Sequence, residues 1–177
     1  LSQEEITTLL NSIEDREFRI MIEMYLYTGL RRSELLHLCW RDIDVTHGFI
    51  YIHKTKTHLE RAIPLTEILT GLIESLRNIS GKREYLFRWR HERTISKLLE
   101  EAVKTSGIKK IRLHDLRHTF ASHLVMSGEN LKTVQELLGH QQISTTLIYA
   151  HLSKEHLKNA LSKLNFTGNE KRLKLVK

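Results

Sequence analysis

Thr46-His47-Gly48-Phe49-Ile50-Tyr51-Ile52, followed across a polar stretch by Arg61-Ala62-Ile63, is the part of this chain that decides its fold class. The flanking sequence repeats its apolar residues at helical spacing. Here the pattern shortens to strand-like runs bounded by a glycine-containing turn signal, so residues 43–65 read as short β segments. The polar residues 54–60 between the runs read as a hairpin loop. A fold that is mainly α with a small antiparallel β-sheet (α+β) is therefore expected.

Working outward, Ser2 followed by Glu5 is a capping box, which predicts a first helix over residues 3–11. Residues 16–28 carry Phe18, Ile20, Met21, Ile22, Met24, Tyr25 and Leu26, too continuous an apolar run for a surface helix. This segment should be buried on most sides, with Gly29 as its stop, where a positive φ is tolerated. A helix over 32–38 turns Leu35 and Leu38 inward, and Cys39 is read as part of the helical stretch 35–40. After the sheet, Thr66 can cap a helix containing Leu69, Ile73 and Leu76, with Gly81 at the end of the loop that follows it. A connector over 85–90 leads to helices expected at 94–105, 114–127, 131–138, 145–151 and 154–164.

The 177 residues are enough to bury one real core and too few for a second full domain. Apolar residues make up 40% and charged residues 28%, an ordinary soluble composition. No run approaches the roughly 18 apolar residues of a membrane span, and the polar, acidic start Leu1-Ser2-Gln3-Glu4-Glu5 does not read as a signal peptide. The single Cys39 cannot form an internal disulfide and reads as a small buried hydrophobe, which favours a cytoplasmic location. With 28 Lys and Arg against 21 Asp and Glu, the net charge of +7 and pI near 9.6 favour a polyanionic partner. A basic surface kept for solubility is the alternative.

Individual side chains stay ambiguous at this stage. Arg31 sits at a helix junction, where its planar guanidinium could clamp a phosphate with Glu34 three residues on to orient it, and Arg32 is a competitor of the same type. Lys56 lies in the hairpin loop beside Lys54, and either is commonly just solvated. His114 and Arg117 share one helix face beside the apolar stripe Leu113, Leu116, Phe120 and Leu124. His114 and His118, one turn apart, have metal-ligand spacing, yet a third ligand and the glutamate of the zinc-protease pattern are missing from this helix. His140 follows Gly139 in a helix-ending turn. Tyr149 is one of five tyrosines; Tyr25, Tyr27, Tyr51 and Tyr85 are more easily explained by core or strand packing.

Taken in order, Thr28-Gly29-Leu30-Arg31-Arg32-Ser33-Glu34-Leu35, Leu113-His114-Asp115-Leu116-Arg117-His118 and Leu138-Gly139-His140, with Ser144-Thr145-Thr146-Leu147-Ile148-Tyr149, closely resemble the catalytic domain of tyrosine recombinases, the phage-integrase family. The resemblance covers residues 1–164 and selects among the ambiguous residues. It implies that Tyr149 is the nucleophile and Lys56 the general acid of the β-hairpin. Arg31 and Arg117 become phosphate clamps, His114 a proton acceptor or hydrogen-bond donor, and His140 a donor to a phosphate oxygen. Neither metal nor cofactor is implied.

The implied activity is cleavage and rejoining of double-stranded DNA through a 3′-phosphotyrosyl link, in a homo-oligomer, a tetramer on DNA, of the kind used by mobile elements. Residues 1–164 would form the catalytic domain and 165–177 a tail able to pack on a neighbouring protomer through Leu173, Leu175 and Val176. The family's N-terminal core-binding domain is expected to be absent. Arg88, Arg90 and Arg93, and Lys109 and Lys110 before His114, are further candidates to follow the DNA backbone, with solvated faces as the alternative. A type IB topoisomerase-like nicking-closing enzyme and a non-catalytic DNA-binding regulator are the rival readings.

Overall fold

The computed structural model describes residues 1–53, 60–153, 161, 162 and 164. The expected helix over 154–164, the tail 165–177 and the loop carrying Lys56 fall wholly or mostly outside them. The architecture is mainly helical with a three-stranded antiparallel sheet. In chain order come α1 (Gln3–Asn11), α2 (Arg16–Thr28), α3 (Arg32–His37), β1 (Ile43–Asp44), β2 (Phe49–Ile52), β3 (Arg61–Pro64), α4 (Glu67–Ser80), α5 (Glu92–Ser106), α6 (Leu113–Met126) and α7 (Leu131–Leu138). Among the described residues no helix is long and apolar enough to cross a membrane.

The capping chemistry forms as its residue types dictate. Ser2 and Glu5 exchange hydrogen bonds at the start of α1, and the Asp15 carboxylate accepts the Phe18 amide at the start of α2. α2 is central: Phe18, Ile20, Met21, Ile22, Met24 and Tyr25 are all buried, and it packs on α4 and α6. In the sheet, Ile50 pairs with Ile43 on one side and Ile63 on the other, so three isoleucines close one face over the core. The register also sets Arg61 opposite Ile52, which carries its side chain to the end of α7.

Two apolar clusters share α6. The larger gathers α1 to α5, the sheet and the start of α6; the smaller joins Ala121 and Val125 of α6 to Val134 and Leu138 of α7 and to Tyr149. The candidate site lies along their seam. Gly29 fixes how closely the two parts approach: its φ is +59°, and a Cβ there would come within 2.2 Å of the Phe120 ring. Gly29→Ala should therefore cost about 2–4 kcal/mol, from the left-handed backbone plus overpacking. Gly107→Ala, in the same left-handed conformation at a φ of +69° but in open space, should cost only about 1–2 kcal/mol. Urea midpoints of the two variants check the difference.

Three expectations need correction. α3 ends at His37, and Cys39 is not helical: it makes an isolated β-bridge with Tyr85, its amide held by the Asp42 carboxylate. Backbone pairing of residues 38 and 40 with the 84–86 connector replaces the helical hydrogen bonds there. Residues 143–153 form two 3-10 segments, Ile143–Thr145 and Leu147–Ser153, rather than an α-helix. Tyr27, expected in packing, is exposed.

Candidate active site

α7 ends in a cluster of arginines. Its last carbonyls have no helical partner, and three consecutive ones receive a guanidinium each: Leu137 accepts from Arg61 Nε at 2.9 Å, Leu138 from Arg117 Nη2 at 2.7 Å and Gly139 from Arg31 Nη2 at 2.7 Å. The end of α2 contributes in the same way, because the Gly29 carbonyl accepts from Arg117 Nη1. The negative ends of two helices thus hold cations in place. Gly139 is required at this crossing: its φ is +64°, and a Cβ would sit 2.7 Å from Arg61 Nη1.

Glu34 is the counterion. It is buried, accepts both terminal nitrogens of Arg61 at 2.9 and 2.8 Å, and accepts Arg31 Nη1 at 2.9 Å and the Arg31 amide at 2.7 Å. Burial alone would raise its carboxyl pKa, but the hydrogen bonds and charge of Arg61, with those of Arg31, outweigh it and hold the value at about 2. One carboxylate against the guanidiniums of Arg31, Arg61 and Arg117 leaves a local positive excess. Burial, then the neighbouring Arg31, pushes Arg117 down to about 10, so it stays charged at neutral pH.

His140 leaves α7 through Gly139, with its backbone carbonyl held by Gln135. Its Nδ1 lies 2.9 Å from the buried Thr146 hydroxyl, which leaves Nε2 for a ligand. Burial and then Arg117, Arg31 and Arg61 lower its pKa to about 4. His140 is neutral at pH 7, and with Nδ1 accepting from Thr146 it can donate from Nε2 to an oxyanion. Tyr149 is 5% exposed, its ring packed in the smaller apolar cluster and its hydroxyl 2.6 Å from His118 Nδ1. Burial raises the phenol's pKa; Arg117 opposes this without reversing it.

Arg31, His114, Arg117, His140 and Tyr149 all line one cleft of about 1220 Å³, which continues along α5 to Glu92, Ser96, Glu100 and Lys104. The structure thus brings together five of the residues singled out from the sequence; Lys56 lies outside the described residues. Of the peripheral basic residues, Lys110 lines the cleft, and Arg93 and Lys109 are exposed beyond it. Arg88 pairs with Asp15 and Glu17 and covers Trp89, while Arg90 bonds the Leu36 carbonyl and stacks on Tyr85. Arg61 and His118 were missed as site residues. The only sequence signal for Arg61 was its place at the start of a strand, and His118 was visible only as a metal-spaced neighbour of His114.

The model of the phage integrase family matches residues 1–156. The chain belongs to this family. Among its relatives, the tyrosine recombinase XerD of Halalkalibacterium halodurans is 37% identical over 177 aligned positions, covering 90% of this chain and 59% of that protein. The catalytic domain of bacteriophage HP1 integrase superposes with a TM-score of 0.74 at 29% identity, covering 95% of this chain and 96% of that domain. The XerH site-specific recombinase, in a post-cleavage complex with its difH substrate, gives 0.72 at 29% identity over 92% of this chain and 52% of that one. This integrase-family chain spans 58–63% of the length of the first curated relatives it matches.

The depressed pKa values make acid stability a readout of the site. For both groups the folded form refuses protons that the unfolded chain accepts, so their stabilisation is complete above the unfolded pKa and is lost as pH falls. His140 should begin to cost stability below pH 6.5 and finish near 4; Glu34 should follow between 4.5 and about 2. Urea midpoints measured from pH 7 to 3 should fall less steeply between 6.5 and 4 in His140→Gln than in the native chain.

Proposed function

We propose that the chain is the catalytic region of a site-specific DNA recombinase or integrase, working through a 3′-phosphotyrosyl intermediate. The observation that carries this reading is the convergence of Arg31, Arg117, His140 and Tyr149 on one cleft with a local excess of positive charge. A scissile phosphodiester seated there would accept hydrogen bonds from both guanidiniums and from His140 Nε2, donors already fixed before the substrate arrives. The Tyr149 oxygen attacks phosphorus, the bond to the 5′ oxygen breaks, and the leaving oxygen takes a proton from Lys56. Because the new ester conserves the energy of the old bond, another 5′ hydroxyl can reverse the step and rejoin strands.

On the same reading, residues 1–164 are the catalytic domain, residues 165–177 pack on a neighbouring protomer, and double-stranded DNA assembles the chain into a tetramer. The family resemblance supports these points; the DNA-bound state of XerH bears on the DNA partner, and the span of the HP1 domain on the catalytic domain.

Nicked suicide DNA from the flanks of the encoding element tests the function directly. Once the short 5′ fragment diffuses away, the native chain should stay joined to DNA in a denaturing gel, with the adduct on the peptide containing Tyr149. Binding without any adduct would instead favour a non-catalytic DNA-binding protein.

A further inference from the structure

The reaction needs a group to take the phenol's proton. At pH 7 a phenol is almost wholly protonated, and burial raises the Tyr149 pKa further. Arg31 and Arg117 are cations and can only donate. His140 has its Nδ1 engaged by Thr146. His114, the histidine that the family resemblance would use, is not the imidazole on the hydroxyl: it makes an edge contact with the His118 ring, at 4.4 Å between centroids. His118 Nδ1 lies 2.6 Å from the Tyr149 oxygen.

We infer that His118 is the general base for Tyr149. This rests on the recombinase reading and deepens it by assigning the proton's destination. His118 lies one turn beyond His114 and directly after Arg117, so α6 presents the phosphate clamp and the base on one rigid support. With its own proton on Nε2, the imidazole accepts the phenolic hydrogen bond at a bare Nδ1. In the forward step the O–H proton of Tyr149 passes to Nδ1, the phenolic oxygen bonds to phosphorus, and the bond from phosphorus to the 5′ oxygen breaks. His118 becomes an imidazolium. In the rejoining step the incoming 5′ oxygen displaces the phenolic oxygen, which recovers the proton from Nδ1. His114, against the His118 ring, and Arg117 are the cationic or titratable neighbours on α6; Tyr149 is the one from the 3-10 segment, with His140 and Arg31 across the cleft.

His118→Asn separates proton transfer from positioning, because the asparagine oxygen can stand near the Nδ1 position and accept the phenol's hydrogen bond without basicity. His118→Gln provides a second variant should the first not fold. On the suicide DNA that captures the native chain, both should bind as the native chain does and form adduct about 10²–10⁴-fold more slowly. The same loss should persist on DNA with a 5′-bridging sulfur, whose departure needs no proton. Capture by His118→Asn at the native rate overturns the assignment, since a hydrogen bond alone would then suffice. Full recovery on the sulfur-bridged DNA also overturns it, by moving His118 to the leaving-group side. If the native chain gives no adduct on DNA that it binds, the recombinase reading falls and the base assignment with it.

Discussion

Tyr149→Phe should abolish covalent capture of DNA while leaving the fold and non-covalent binding in place. The ring does the packing: it lies against Ala121, Val125, Val134 and Leu138, and phenylalanine keeps that contact. Among the described residues the hydroxyl is partnered by His118, which is half-buried, so losing the bond should cost only about 0.5–1.5 kcal/mol. Neither guanidinium depends on it, because Arg31 and Arg117 are held by carbonyls at the ends of α2 and α7 and by Glu34. Affinity for DNA should stay near native, and the denaturant-resistant adduct should vanish. A persisting adduct would move the nucleophile to another residue.

Arg61→Leu should cost about 3–5 kcal/mol of stability, the usual consequence of removing one partner from a buried ion pair. Arg61 is 8% and Glu34 4% exposed at the side chain, and their carboxylate–guanidinium contact is bidentate. The leucine would take the bidentate partner from Glu34, leaving Arg31 as its counterion, and leave the Leu137 carbonyl without its donor. Lysine is no substitute, because one ammonium cannot reproduce two parallel bonds and reach the helix end as well. Arg61→Lys should fall between the two. The double variant Arg61→Leu with Glu34→Leu should lose less than the sum of the single losses, measured by urea unfolding as a coupled cycle. Adduct formation should drop in every variant that folds, because Glu34 also positions Arg31.

The first two helices were legible because their signals are local. Ser2 and Glu5 define a cap within one turn, the apolar run from Phe18 to Tyr25 declares its own burial, and Gly29 marks its own stop. Failures came where a distant strand overrode a local tendency. Cys39 follows a good helical stretch, yet pairing with the connector at Tyr85 draws the chain into extended form. The segment from Ile143 to Ser153 is wound as 3-10 turns; it carries Tyr149 into the α6–α7 cluster and sets Thr146 against His140.

Fold class, helix caps and the order of the chemically competent residues were readable along the chain, since each depends on neighbours within a turn or on a linear motif. Tertiary structure alone decided their contacts. Arg61 and Glu34 are 27 positions apart, Arg117 and Gly29 are 88 apart, and Arg31 and Gly139 are 108 apart. No periodicity links such pairs. They meet because helix ends expose unpaired carbonyls, and a folded chain brings those ends together around the arginines that satisfy them.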